Sequence, residues 1–144
     1  VPLIINDRLD ICLAVDAAGV HLGQTDLPCS EARRILGAEK IIGVSAATPE
    51  EAAKAQSDGA DYLGVGAVFA TSTKTNTRPV TAETIRAIRS AVDIPFVVIG
   101  GVNSENISGL HGLGINGAAV ISAIISQPDI IAAARKMRQA AERL

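Results

Sequence analysis

The chain has 144 residues, with 13 Lys plus Arg against 15 Asp plus Glu, and its formal charge of −2 argues against the basic surface that nucleic-acid binding requires. Hydrophobic residues make up 48% of it, yet only Tyr62, Phe69 and Phe96 are aromatic, so the core has to be Ala, Val, Ile and Leu packed in regular elements, not a disordered chain or a base-stacking platform. Polar residues or glycines interrupt every apolar run before the roughly 20 residues of a membrane helix, and no membrane partner is expected. Cys12 and Cys29 lack CxxC or His partners, which argues against a zinc site or a disulfide framework and for a reducing cytoplasm.

Six short Val/Ile/Leu/Gly runs read as buried parallel strands: Leu3–Asn6, Val20–Gly23, Ile41–Ala46, Tyr62–Phe69, Phe96–Gly100 and Ala118–Ala123. Each is apolar on both faces, as strands covered by helices should be. The first opens the chain directly, with no initiator Met and no signal segment before it, so upstream residues are expected to be missing. Thr48-Pro49-Glu50-Glu51 predicts a capped helix start, with Thr48 accepting from the Glu51 backbone and Glu51 reaching back. The closing segment predicts an amphipathic helix with Ile130, Ile131, Ala134, Met137 and Ala141 on one face.

Strand starts at positions 3, 20, 41, 62, 96 and 118 recur at about twenty residues, the repeat of βα barrel units, except for the step from 62 to 96. The excess there is a Thr-rich stretch, 70–80, directly after a strand, where a barrel carries its chemistry. The predicted fold is an α/β TIM (β/α)8 barrel, of which residues 1–144 hold the last six units as a single partial domain. The two N-terminal units are expected to be missing, leaving two parallel sheet edges open.

On a barrel, residues at the C-terminal ends of strands converge on one rim. Asp7 and Asp26 could then face each other across a hard cation such as Mg²⁺; the alternative makes Asp7 a helix cap and Asp26 a turn former. Gly100-Gly101-Val102 and Ile121-Ser122-Ala123-Ile124 lie where the last two loops of a barrel cradle a phosphate, although a Gly-Gly pair also marks a simple tight turn. Lys74 and Arg78 read either as phosphate ligands or as solvated loop charges. His21 reads as a hydrogen-bonded core residue, Tyr62 as packing and His111 as a surface residue on a helix. Ser45 and Ser122 lack the partners of a hydrolase triad, and no GxGxxG, P-loop or HExxH is present.

Taken together and in order, Asn6-Asp7-Arg8, Gly19-Val20-His21-Leu22-Gly23-Gln24-Thr25-Asp26, Ile42-Gly43-Val44-Ser45, Ala60-Asp61-Tyr62-Leu63-Gly64-Val65-Gly66 with Thr71-Ser72-Thr73-Lys74, Ile99-Gly100-Gly101-Val102 and Val120-Ile121-Ser122-Ala123-Ile124 resemble the thiamine-phosphate synthase family. The resemblance implies a cytoplasmic TIM-barrel transferase that joins 4-amino-2-methyl-5-hydroxymethylpyrimidine diphosphate to a thiazole phosphate, commonly its carboxylate form, and releases diphosphate. It implies Mg²⁺ on Asp7 and Asp26, and Asn6, Ser45 and Lys74 on the pyrimidine diphosphate, with Ser45 and Lys74 as the catalytic pair. Thr71, Ser72 and Thr73 would meet the thiazole, whose phosphate would rest on Gly101, Ile121 and Ser122. The proposed chemistry is ionisation to a pyrimidine methylene cation captured by the thiazole nitrogen, which needs no protein nucleophile.

The family's Gln-x-Arg-x-Lys segment has no counterpart ahead of Val1, so the resemblance implies a fragment whose activity is in question. Rival readings are a thiazole tautomerase of the same family, a sugar-phosphate isomerase or epimerase barrel, and a non-catalytic phosphate-binding remnant. The synthase reading rests on both carboxylates together with Lys74. It implies small-molecule partners and leaves a homo-oligomer open.

Overall fold

A computed structural model describes residues 1–70, 79–142 and 144. The strands are β1 (Ile4–Asn6), β2 (Gly19–Leu22), β3 (Ile41–Ala46), β4 (Tyr62–Gly66), β5 (Phe96–Ile99) and β6 (Gly117–Ala119); the helices are α1 (Leu9–Ala14), α2 (Cys29–Leu36), α3 (Pro49–Ser57), α4 (Ala82–Ala91), α5 (Ser122–Ile125) and α6 (Ile130–Ala141). Side chains start three of these helices. Thr48 Oγ1 accepts from Glu51 N at 3.2 Å, Thr81 Oγ1 from Thr84 N at 3.2 Å and Asp129 Oδ1 from Ala132 N at 2.9 Å, each satisfying a donor that has no partner within the helix. Glu51 reaches back as expected, its Oε2 accepting from Ala47 N at 2.7 Å.

All strand pairs are parallel and the order is sequential, β1-β2-β3-β4-β5-β6. A doubly wound sheet would reverse its order at a switch point; a sequential order curls instead into the wall of a βα barrel. Alternation then sorts the side chains. Val20, Leu22, Ile42, Val44, Leu63, Val65, Phe96 and Val98 are buried against Cys12, Ala32, Ala52, Ala55, Ile85 and Ile88 of the helical layer. The intervening residues, among them His21, Ser45, Tyr62, Gly64, Val97 and Ile99, line a cavity on the opposite face.

Several boundaries differ from the sequence reading. Strand β4 ends at Gly66, not Phe69: Val68 and Phe69 donate to Ile99 O and Gly100 O and pack on the core, but outside a regular strand. Strand β6 ends at Ala119, and Ser122 opens a short helix where the apolar run predicts continued strand. In both cases the apolar character reports burial, not backbone conformation. After β5 the chain makes only a 3₁₀ turn, Ile107–Leu110, so exposed His111 caps a turn and does not lie on a helix. In α6, Met137 is buried as expected, but Ile130 and Ile131 are 51% and 66% exposed.

Candidate active site

A cavity of about 640 Å³ opens at the C-terminal ends of the strands. Among its walls are Asn6 at the end of β1 and Asp7 after it, Gln24 and Asp26 after β2, Ser45 on β3, Gly100 and Gly101 after β5, and Ile121 and Ser122 after β6. These residues are scattered over 117 positions of sequence, 6 to 122, and parallel βα units bring them to one rim because every strand ends on the same side. Thr71, Ser72, Thr73, Lys74 and Arg78 lie outside the described residues.

Asp7 occupies a left-handed backbone conformation, φ 62°, and its N–H donates to His21 O at 2.8 Å. It does not take the N-cap position of α1, which belongs to Arg8. A non-glycine residue held at positive φ costs about 1 kcal/mol or more, and such strain is concentrated at functional sites. Asp26 is a turn former, as one reading of the sequence has it: its Oδ2 accepts from Gly23 N at 2.7 Å. That bond engages one carboxylate oxygen and fixes the side chain in the cavity wall. Among the described residues no three His, Cys, Asp or Glu side chains gather at metal-binding distance. A donor set of two carboxylates suits Mg²⁺, which keeps waters and takes substrate phosphate oxygens, better than a cation that needs a full protein cage.

Ser45 is held from two sides. Its Oγ lies 3.0 Å from His21 Nε2, and its carbonyl accepts from Gln24 Nε2 at 2.6 Å. His21 Nδ1 in turn lies 2.9 Å from Tyr62 Oη. Burial pushes the Tyr62 phenol above its ordinary pKa, so it stays protonated at neutral pH. His21 reads in the sequence as a hydrogen-bonded core residue and Tyr62 as packing; the hydrogen bonds of His21 are present, but both side chains face the cavity. The signal that finds them is strand parity: His21, Gly43, Ser45, Tyr62 and Gly64 share the face opposite to Val20, Ile42, Val44, Leu63 and Val65.

The opposite wall turns on Gly100 and Gly101, at φ 98° and 63°. A Cβ on Gly101 would stand 2.5 Å from Ala70 O, so glycine is required there for space as well as for conformation. Asn106 Nδ2 donates to Gly101 O at 2.9 Å and fixes the turn. The described lining carries three carboxylates, Asp7, Asp26 and Glu51, and no lysine or arginine. A polyanion entering such a cavity needs a cation from outside that set.

A family model described as thiamine monophosphate synthase matches residues 1–124. The chain is 55% identical to thiamine-phosphate synthase of Moorella thermoacetica over 97% of its own length and 67% of that protein's, and 58% identical to the same enzyme of Ruminiclostridium cellulolyticum over 95% and 65%. A solved structure, thiamine phosphate pyrophosphorylase from Pyrococcus furiosus, superposes with a TM-score of 0.88 at 42% identity, covering 96% of this chain and 66% of that one. The chain thus spans about two thirds of the length of these relatives. With the parallel half-barrel and a rim cavity already in place, these matches settle the lineage: the chain belongs to the thiamine monophosphate synthase family.

Proposed function

We propose that the rim cavity is the site of thiamine phosphate synthesis, where a pyrimidine methyl diphosphate and a thiazole phosphate are joined and diphosphate is released. The observation that carries this reading is the convergence of Asn6, Asp7, Asp26 and Ser45 with the Gly101, Ile121 and Ser122 wall on one cavity of about 640 Å³, within the range of small-ligand sites. The six units act here as part of an eight-unit barrel, a reading supported by the open sheet and by the share of each relative that they cover.

Asp7 and Asp26 would hold Mg²⁺, which when bound would supply Lewis-acid stabilisation of charge on the leaving diphosphate. Asn6 and Ser45 orient the pyrimidine, Lys74 binds its diphosphate, and Thr71, Ser72 and Thr73 meet the thiazole. Gly101 with Ile121 and Ser122 receives the thiazole phosphate, where a turn without a side chain lets backbone approach the oxygens. The carbon–oxygen bond breaks with its electron pair going to diphosphate, and the thiazole nitrogen lone pair closes the new carbon–nitrogen bond. No protein group has to accept a proton in that exchange. The acidic lining makes the cation integral: without it, three carboxylates would repel a diphosphate.

The test is formation of thiamine phosphate from the two substrates over a Mg²⁺ titration, run on the 144-residue chain and on any longer form its gene encodes. Product that depends on Mg²⁺ and falls on the order of a hundredfold in Asp7→Asn is expected. Folded, Mg²⁺-loaded protein that makes no product in either form overturns the assignment.

A further inference from the structure

Neighbouring strands carry Asn6, His21, Gly43 and Tyr62 in one cross-strand row, because the register pairs Asn6 with His21, His21 with Gly43 and Gly43 with Tyr62. His21 and Tyr62 therefore stand two strands apart, a backbone separation of about 10 Å. Their side chains nevertheless meet, with ring centroids 5.4 Å apart and Nδ1 2.9 Å from Oη. They can do so because the intervening residue is glycine: a Cβ on Gly43 would fall 2.1 Å from the Tyr62 ring and 2.4 Å from its hydroxyl. A second glycine makes room on the other side, since a Cβ on Gly64 would fall 2.9 Å from His21 Cε1. Two side-chain-free positions thus form a slot that admits a tyrosine–histidine pair and aims it at Ser45.

The geometry points to Tyr62 as a positioning residue that acts through His21 to present the Ser45 hydroxyl to the cavity as a hydrogen-bond donor. Phenol is a strong donor and a weak acceptor, and the half-buried Tyr62 keeps its proton. Its O–H then donates to Nδ1, which places the imidazole proton on Nε2. That proton is donated to Ser45 Oγ, so the serine hydroxyl is left to donate elsewhere. An imidazolium would also donate from Nε2 and leave Ser45 in the same role. The opposite arrangement, with Nδ1–H donating to Tyr62, would engage the serine proton on the ring and leave only an acceptor facing the ligand. The relay thereby selects a ligand atom that accepts, such as a ring nitrogen or a phosphate oxygen.

This inference rests on the synthase reading for its substrate, and a tautomer measurement separates the two. The chain has two histidines, so ¹⁵N labelling with His111→Gln leaves a single imidazole to observe. His21 protonated at Nε2 in the parent chain, and a mixed or inverted tautomer in Tyr62→Phe, are expected. A neutral ring carrying its proton on Nδ1 in the parent, or the same tautomer in both, overturns the relay whatever the activity. In turnover, Tyr62→Phe should lower kcat about tenfold with little change in KM. The same change in a Ser45→Ala background should have no further effect, because the group being positioned is gone. An undiminished Tyr62→Phe effect in that background would show that Tyr62 acts by another route. Absence of turnover in both this chain and any longer form its gene encodes would sink the synthase assignment while leaving the tautomer result to decide the relay.

Discussion

Gly43 shows how a residue with no side chain organises a site. Its neighbours His21 and Tyr62 reach over it, and a methyl group there would overlap the Tyr62 ring. Gly43→Ala is therefore expected to push the ring out and to lower stability by about 1–3 kcal/mol, as overpacking does, read as a shift of the urea midpoint. Adding Tyr62→Ala should restore part of that loss; strictly additive effects would mean that the ring does not occupy this slot. The site as a whole was legible in unequal parts. Asn6, Asp7, Asp26, Ser45, Gly101, Ile121 and Ser122 could be placed on one rim from the positions of strand ends alone, and all of them line the cavity. Tyr62, His21 and Glu51 were missed as cavity residues because their roles depend on which face of a strand or loop turns inward. Parity on fully apolar strands is ambiguous until a glycine opposite a bulky residue breaks the tie.

At the scale of elements, Arg33 near the end of α2 ties two connections together. Its guanidinium donates to Gly37 O and Lys40 O at 2.8 Å each, to Gly59 O at 3.0 and 2.8 Å, and to Asp61 Oδ2 at 2.6 Å. Asp61 Oδ2 also accepts from Ile42 N at 2.7 Å, so one charged pair joins α2 to the entries of β3 and β4. These contacts lie at the N-terminal ends of the strands, the face of a βα barrel associated with stability and not with chemistry. A lysine keeps the charge but lacks the planar fork that satisfies several carbonyls at once. Arg33→Lys should cost about 1–3 kcal/mol of unfolding free energy with an unchanged denaturant slope and intact substrate affinity. An equal loss of affinity would show that these strand entries also shape the cavity. The order and spacing of the strands could be read from sequence because turn signals precede three of the buried runs, at Ala18-Gly19, Asp58-Gly59 and Gly114. The places where β4 and β6 stop could not, since Val68, Phe69 and Val120 are apolar for packing while the backbone has already left the sheet.

At the scale of the whole molecule, the sheet is open among the described residues: β1 and β6 each pair on one side only, whereas β2 to β5 pair on both. The ends differ from the middle in burial as well. Leu3, Leu13 and Val15 beside β1 and Ile121, Ile125 and Ile131 beyond β6 are exposed, while Ile42, Leu63, Val65 and Val98 of the inner strands are inaccessible. Cooperative unfolding requires each element to bury apolar surface against the rest, and elements that bury little open first. Amide hydrogen exchange should therefore divide the chain, with Ile42, Val44, Leu63 and Val65 exchanging slowest and the bonded amides of β6 and α5 faster on the order of a hundredfold. Helix α6 should exchange at an intermediate rate, anchored by Met137 but exposed at Ile130 and Ile131. The rim residues Ile121 and Ser122 sit on the fast-opening end, and Ser45 on the slow one. Local opening at β6 would then weaken the Ile121–Ser122 side of the cavity without disturbing the Ser45 side. Uniformly slow exchange across all six strands would show instead that both edges are covered in solution, and the open-sheet account of this gradient would have to be abandoned.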